Sequence, residues 1–254
     1  MSVIQRREKI REMLATRPFL SFEELMREFP KLSSMTLRRD IEYFEKRGEA
    51  IKVRGGARSM KFITTSMEDA FSKRLGDDML QKEAIAQAAL EYIETGRSVF
   101  IDSGTTMLTL ARHLPDERIN IITTGPNIAL ELIKKQRPVV SIIGGMINRD
   151  NISIVGDNAL EYVDTVNVDT AFIVPSGISK DGVTCGNYTE CELKRKIIEK
   201  ARQVILLITQ SKIDKILPYS VCDISAADVI ITGVELSAEM ISKCLANKVK
   251  IIKA

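Results

Sequence analysis

Apolar positions in the first 57 residues recur with a helical period in three stretches and then switch to alternation. Ile10, Met13 and Leu14 fall on one face of a helix predicted over Ile4–Ala15. Ser21 is followed three residues later by Glu24, the pattern in which hydroxyl and carboxylate satisfy each other's end-of-helix amides. Phe22, Leu25, Met26 and Phe29 then form an i, i+3, i+4, i+7 stripe that Pro30 ends. Lys31-Leu32 turns the chain, and Ser33 caps a third helix that presents Leu37, Ile41 and Phe44 inward and stops at Gly48. Ala50–Arg54 alternates with period two and Gly55-Gly56 reverses the chain, which predicts a β-wing. Each stripe is too small to be buried alone; together they predict one small core.

Residues 58–78 show weak periodicity and mixed charge and read as a linker. From Met79 helix and strand patterns alternate. Ile85, Ala88, Ala89, Tyr92 and Ile93 mark a helix, and Ser98–Ile101 a short buried strand. Further apolar runs follow at Ile119–Thr123, Val139–Ile143, Thr170–Val174, Gln203–Ile208, Val229–Thr232 and Val249–Ile252. Helical stretches lie around Glu190–Ala201 and Ser237–Leu245. Short apolar runs without alternation suit a parallel sheet covered on both faces. The expected organisation is an α/β chain: a winged helix-turn-helix over 1–57, a linker over 58–78 and a body over 79–254.

Composition narrows the function classes. The chain has 254 residues, 44% apolar and 28% charged, which suits folded domains and not disorder. No apolar run approaches a membrane span and no apolar signal region follows the early basic residues, so a cytoplasmic protein without a membrane partner is expected. The four cysteines form no CxxC pair and read as reduced thiols. His113 is the single histidine, which excludes a multi-histidine metal site; near a helix end it reads as structural. No metal and no cofactor is expected. Charge is uneven: residues 1–60 hold 14 basic and 9 acidic side chains, the other 194 hold 23 and 25. A basic head on a near-neutral body points to a polyanion partner for the head.

In a three-helix-plus-wing unit the start of the third helix reaches the major groove of duplex DNA. Ser34, Met35, Thr36, Arg38 and Arg39 face outward there or flank it, and Lys52 and Arg54 on the wing lie over the backbone or minor groove. Arg38-Arg39-Asp40 seen alone would read as a self-paired, solvated cluster, and Met35 either meets a thymine methyl or packs on the core. In the body, the first strand runs into Asp102-Ser103-Gly104-Thr105-Thr106 and then a helix, an arrangement that aims amides and hydroxyls at one spot and suits a phosphate. A plain capped turn is the alternative. Thr124, Gly144, Gly145 and Gly177 lie in small polar turns after other strands, where ligands of open α/β sheets bind. Lys194 and Lys212 could add positive charge, although as isolated residues they read as surface lysines.

Ser33-x-x-Thr36-Leu37-Arg38-Arg39-Asp40 with Gly48 and Arg54-Gly55-Gly56-Ala57 resembles the helix-turn-helix signature of DeoR-family transcriptional regulators. The body matches in order through Asp102–Thr106, Gly144-Gly145, Val155-Gly156, Asp169–Phe172, Gly177-Ile178, Lys194-Arg195 and Ser211-Lys212. The resemblance implies a Rossmann-like, sugar-phosphate-isomerase-type effector domain behind the DNA-binding head. It implies a homo-oligomer, dimer or tetramer, usually a repressor of carbohydrate metabolism genes bound to a double-stranded operator. The implied effector is a phosphorylated sugar, held by Asp102, Ser103, Gly104, Thr105, Thr106, Thr124, Gly144, Gly145, Gly177, Lys194 and Lys212. The chain departs from the family pattern at Ser176-Gly177-Ile178-Ser179, at Thr209–Ile213 and at Thr232-Gly233, where acids are replaced. An isomerase-like enzyme, with Glu190 or Glu192 as base, and a regulator with a ligand-free assembly domain are the alternatives; no catalytic residue is assigned.

Overall fold

The computed structural model describes residues 3–17, 19–60 and 71–254. The chain divides into two units, Met1–Met67 and Glu68–Ala254.

The first unit holds α1 (Val3–Thr16), β1 (Phe19–Ser21), α2 (Phe22–Glu28), α3 (Ser34–Lys46), β2 (Ala50–Val53) and β3 (Gly56–Ser59). The capping box at α2 is formed: Ser21 N–H donates to Glu24 Oε2 at 2.9 Å and Glu24 N–H donates to Ser21 Oγ at 3.1 Å. Ser33 caps α3 by accepting from Thr36 N–H. Ile10, Leu14, Leu25, Phe29, Leu37, Ile41 and Phe44 share one core. Met26, expected in the inward stripe, is 41% exposed, because seven residues of α2 turn only Phe22 and Leu25 fully inward. The wing is three strands in the order β1-β3-β2, where the alternation marks only Ala50–Arg54. At three residues β1 is too short to show a period. A Cβ on Gly56 would stand 2.3 Å from the Leu20 carbonyl oxygen, so glycine lets β3 lie against β1.

The linker read over 58–78 is structured at both ends where described. β3 carries the wing through Ser59, and α4 (Phe71–Gly76) buries Phe71 in the body. The rest of that reading, 61–70, lies outside the described residues.

The body contains α5 (Met79–Ala89), β4 (Ser98–Ile101), α6 (Thr105–His113), β5 (Asn120–Thr123), α7 (Pro126–Leu132), β6 (Val139–Ile142), β7 (Met146–Asn148), β8 (Ser153–Val155), α8 (Asp157–Asp164) and β9 (Val168–Ile173). β10 (Gly177–Ser179), β11 (Gly182–Cys185), α9 (Tyr188–Lys200), β12 (Ala201–Ile208), β13 (Tyr219–Cys222), β14 (Val229–Thr232), α10 (Ala238–Ala246) and β15 (Lys250–Lys253) follow. Seven strands form one parallel sheet in the order β15-β14-β12-β9-β4-β5-β6. Phe100, Ala171, Leu206 and Ile230 pack on one face; Val99, Ile101, Phe172, Ile205 and Ile231 pack on the other. Burial on both faces is why these strands read as unbroken apolar runs. The helix expected to include Tyr92 and Ile93 ends at Ala89, and a single 3₁₀ turn, Leu90–Tyr92, follows. The hairpin β7–β8 and the antiparallel sheet β10-β11-β13 were not expected, since their short strands mix glycine, serine and apolar residues.

From β4 the chain first builds outward through β5 and β6. It then returns to place β9 on the other side of β4 and builds outward again through β12, β14 and β15. The order therefore reverses between β4 and β9, and the crevice at the carboxyl ends of these two strands is where open α/β sheets take ligands.

Candidate functional site

In the first unit, Ser34, Met35, Arg38 and Arg39 are exposed along the leading half of α3, with Met35 63% accessible and so not part of the core. Thr36 is half-buried, and its Oγ1 lies 3.0 Å from Ser33 Oγ. Asp40 does not pair with its arginine neighbours. It is 1% exposed and accepts from Arg6 Nε at 2.6 Å and Arg7 Nε at 2.9 Å, both from α1. The self-paired reading of Arg38-Arg39-Asp40 is thus corrected: the carboxylate points inward and the two arginines outward, with the Arg38 guanidinium 4.6 Å above the Phe22 ring. Lys52 is corrected in part. Its ammonium lies 2.6 Å from Glu42 Oε1, which ties the wing to α3, and this hydrogen bond chiefly holds the Glu42 carboxyl below its usual range. Arg54 is exposed at the wing turn, and Arg58 on β3 is exposed as well. Arg58 was missed because the second wing strand was read as linker; its alternation with buried Ala57 and Ser59 is the signal.

In the body, Asp102 follows β4 directly. Its Oδ1 accepts from Ser103 N–H at 2.8 Å; its Oδ2 accepts from Val174 N–H at 3.1 Å and from Lys194 Nζ at 2.5 Å. Lys194 also donates to the Val174 carbonyl at 2.9 Å and lies 3.5 Å from Glu190 Oε1. Glu190 in turn accepts from Asn151 Nδ2, and Asn151 Oδ1 accepts from Arg74. Lys194 is 2% exposed, so it is no surface lysine. Burial works against its charge, but the Asp102 and Glu190 carboxylates outweigh burial and hold it protonated, above the ordinary lysine range. Asp102 and Lys194 therefore stitch β4, β9 and α9 together beneath the loop and do not line the cavity beside it.

That cavity, of about 50 Å³, is lined by Thr105 and Thr106 at the start of α6, by Val174 after β9, and by Thr209, Ser211, Lys212 and Lys215 after β12. Arg74 in α4, Asp77 and Asp78 between α4 and α5, and Lys82 on α5 close it. Four cations face two carboxylates there, at the amide-rich opening of a nine-residue helix. Lys212 is buried, contrary to the surface reading. Lys82 is buried too, donates to the carbonyls of Arg74 and Asp77, and has its pKa pushed down by that burial. Lys82 was missed, yet it stands three, four and seven residues before Ile85, Ala86 and Ala89, on the buried face of α5. Arg74 and Lys215 sit in stretches without a readable period.

Of the other expected residues, Ser103 and Gly104 lie between Asp102 and the cavity threonines in the chain, with Gly104 at φ +124°. Thr124 follows β5 and Gly144-Gly145 follow β6, one and two strands beyond the cavity. Gly177 opens β10; a Cβ there would stand 2.2 Å from the Lys215 carbonyl oxygen, so this glycine admits the segment that carries Lys215. Glu190 is buried in the network above, and Glu192 accepts from Tyr188 OH at 2.8 Å. His113 ends α6 with Nε2 2.5 Å from Glu83 Oε2. Among the described residues no cluster of histidine, cysteine and acidic side chains is arranged to hold a metal ion, and no helix is long and apolar enough to cross a membrane.

Comparison with known proteins places these features in a family. Residues 6–62 match the DeoR-like helix-turn-helix domain and residues 77–234 the DeoR C terminal sensor domain. The HTH-type transcriptional repressor GlcR of Bacillus subtilis is 30% identical over 80% of this chain and 78% of its own. The glycerol-3-phosphate regulon repressor of Escherichia coli is 29% identical over 91% of each chain. Among solved structures, ribose 5-phosphate isomerase from Methanocaldococcus jannaschii aligns over 53% of this chain and 54% of that one, with 15% identity and a TM-score of 0.38. With a basic winged head and a parallel-sheet sensor unit matched in order, the chain belongs to the DeoR family of helix-turn-helix transcriptional regulators.

Proposed function

We propose that this protein represses carbohydrate-metabolism genes from a double-stranded operator and is controlled by a phosphorylated sugar. The observation that carries the effector reading is the convergence of Lys82, Lys212, Lys215 and Arg74 on the first turn of α6 at the switch point of the sheet. Thr105 and Thr106 offer hydroxyls to the phosphate, and Ser103 and Gly104 shape the turn. Asp102 and Lys194 hold that turn in place. On the head, Ser34, Met35, Thr36, Arg38 and Arg39 enter the major groove while Arg54 and Arg58 lie against the backbone; Lys52 braces the wing.

Effector binding shifts operator affinity only as far as the ligand prefers one arrangement of the protein; a tenfold change needs about 1.4 kcal/mol of preference. An enzymatic role is disfavoured, since Glu190 and Asp102 are committed to Lys194. The protein works in the cytoplasm as a homo-oligomer. Supporting this, one sheet edge, β15, carries Lys250 and Lys253, whereas the other, β6, reads Val139-Val140-Ser141-Ile142 with Val139 and Ile142 exposed. Edges without charge invite pairing, and a second copy is the occupant proposed.

The test is fluorescence anisotropy with DNA from upstream of the protein's own coding region against a shuffled duplex, across a salt series. A preference for the native sequence whose affinity falls steeply with salt supports the reading. Equal binding to both duplexes contradicts it.

A further inference from the structure

Four buried polar atoms near the phosphate turn have no hydrogen-bond partner among the described residues: Thr124 Oγ1, Ser153 Oγ, and both amide atoms of Asn127. Thr124 and Ser153 are each 1% exposed. Buried polar groups are almost always paired, so such a group calls for an explanation.

The fold brings the three residues together. Ile154 N–H donates to the Thr124 carbonyl at 2.8 Å, which sets Ser153 beside Thr124. Asn127 lies three residues on from Thr124, in the first turn of α7. β5 pairs with β4 in a register that matches Thr123 to Ile101, so Thr124 stands next to Asp102, the first residue of the phosphate turn. On either side the rim is open: a Cβ on Gly104 or on Gly144 would meet nothing within 4 Å.

We infer that Thr124, Asn127 and Ser153 seat the uncharged, hydroxyl-bearing part of the effector whose phosphate occupies the cationic cavity; this rests on the anion reading above. The chemistry selects the ligand class. Each hydroxyl can donate and accept, and the amide offers donors and an acceptor, which complements the alcohols of a sugar. None of the three carries a charge to meet a second phosphate. The effector is therefore a sugar monophosphate, lying from Lys212 across Gly104 to Thr124, and not a bisphosphate. Thr124 directly follows the sheet strand β5 and Ser153 opens β8 of the hairpin, so the sugar enters by parting that hairpin from the end of β5.

The experiment is calorimetric titration of the full chain with inorganic phosphate, a panel of pentose and hexose monophosphates, and fructose 1,6-bisphosphate. At least one monophosphate is expected to bind about tenfold or more tighter than inorganic phosphate and tighter than the bisphosphate. The double variant Thr124→Val/Ser153→Ala is expected to lose most of that advantage while keeping its phosphate affinity within about twofold. It removes two unpaired hydroxyls at nearly constant volume, so without ligand it is expected to melt no lower than the parent. An undiminished sugar advantage, tighter bisphosphate binding or a lower melting temperature of the ligand-free variant would overturn the inference. Phosphate binding with no gain from any sugar overturns it alone; absence of all anion binding overturns the cavity's assignment as well.

Discussion

Asp40 Oδ2 accepts from Arg6 Nε at 2.6 Å across 34 residues of chain, and the carboxylate is buried. The pair pins α1 to α3 and turns the acid away from the exposed face that carries Arg38 and Arg39. Arg6→Ala leaves that carboxylate short of its closest partner and is expected to destabilise the head by about 3 kcal/mol in urea unfolding of the full chain. Arg39→Ala, on the exposed side, is expected to leave stability within about 0.5 kcal/mol. It should weaken operator binding by about 1–3 kcal/mol if it reads a base, or lower the salt slope by about one if it holds a phosphate. Equal stability losses in the two variants would count against this division.

The Asp102–Lys194 pair makes a parallel case in the body. Lys194→Ala strands a buried carboxylate and is expected to cost about 3–5 kcal/mol. The double replacement Asp102→Asn/Lys194→Met removes both charges and should recover much of the loss. A single-variant loss below about 1 kcal/mol would mean that the pair is not the tie between β4, β9 and α9.

Asp223 links pH to stability. The hydrogen bond from Lys243, followed by that from Ser225 N–H, lowers its pKa to about 2. A carboxyl depressed on folding stabilises fully above its unfolded value, near 4, and loses that contribution as pH falls toward 2. Both partners are partly exposed, so the contribution at neutral pH is about 1 kcal/mol at most. The stability gap between the parent and Asp223→Asn should shrink to about half near pH 3. A gap independent of pH would show that the charge is not its source.

The uncharged edge β6 should behave as an interface. Val139→Lys/Ile142→Lys is expected to lower the mass seen by sedimentation velocity to that of a single chain, while Lys250→Ala/Lys253→Ala on β15 should not. Unchanged mass in the β6 variant would place the interface elsewhere.

Much of this organisation was legible in the residues. Capping patterns at Ser21 and Ser33 marked helix starts because they act within one turn of chain. The body's strands were legible because burial on both faces leaves runs such as Val204–Ile208 without polar interruption. The Asp102–Thr106 turn was visible as a strand running into a helix. Pairings that span the chain were not: neither Arg6 with Asp40 nor Asp102 with Lys194, 92 residues apart, leaves a local signal. Lys82 left one, a charge on an otherwise apolar helix face, and it went unread. Ser153 and Asn127 are ordinary polar residues in sequence; only burial without partners distinguishes them.

We propose that one unit grips duplex while a separate cationic cavity senses a phosphorylated sugar. The decisive experiment forms the complex with native upstream DNA and titrates in sugar monophosphates, for the parent and for Lys82→Met/Lys212→Met. The parent complex should change its affinity at least about fivefold, the lower end of common allosteric coupling. The double variant should bind the same DNA equally well without responding. A variant that responds like the parent, or one that loses DNA binding outright while still folded, would contradict the claim.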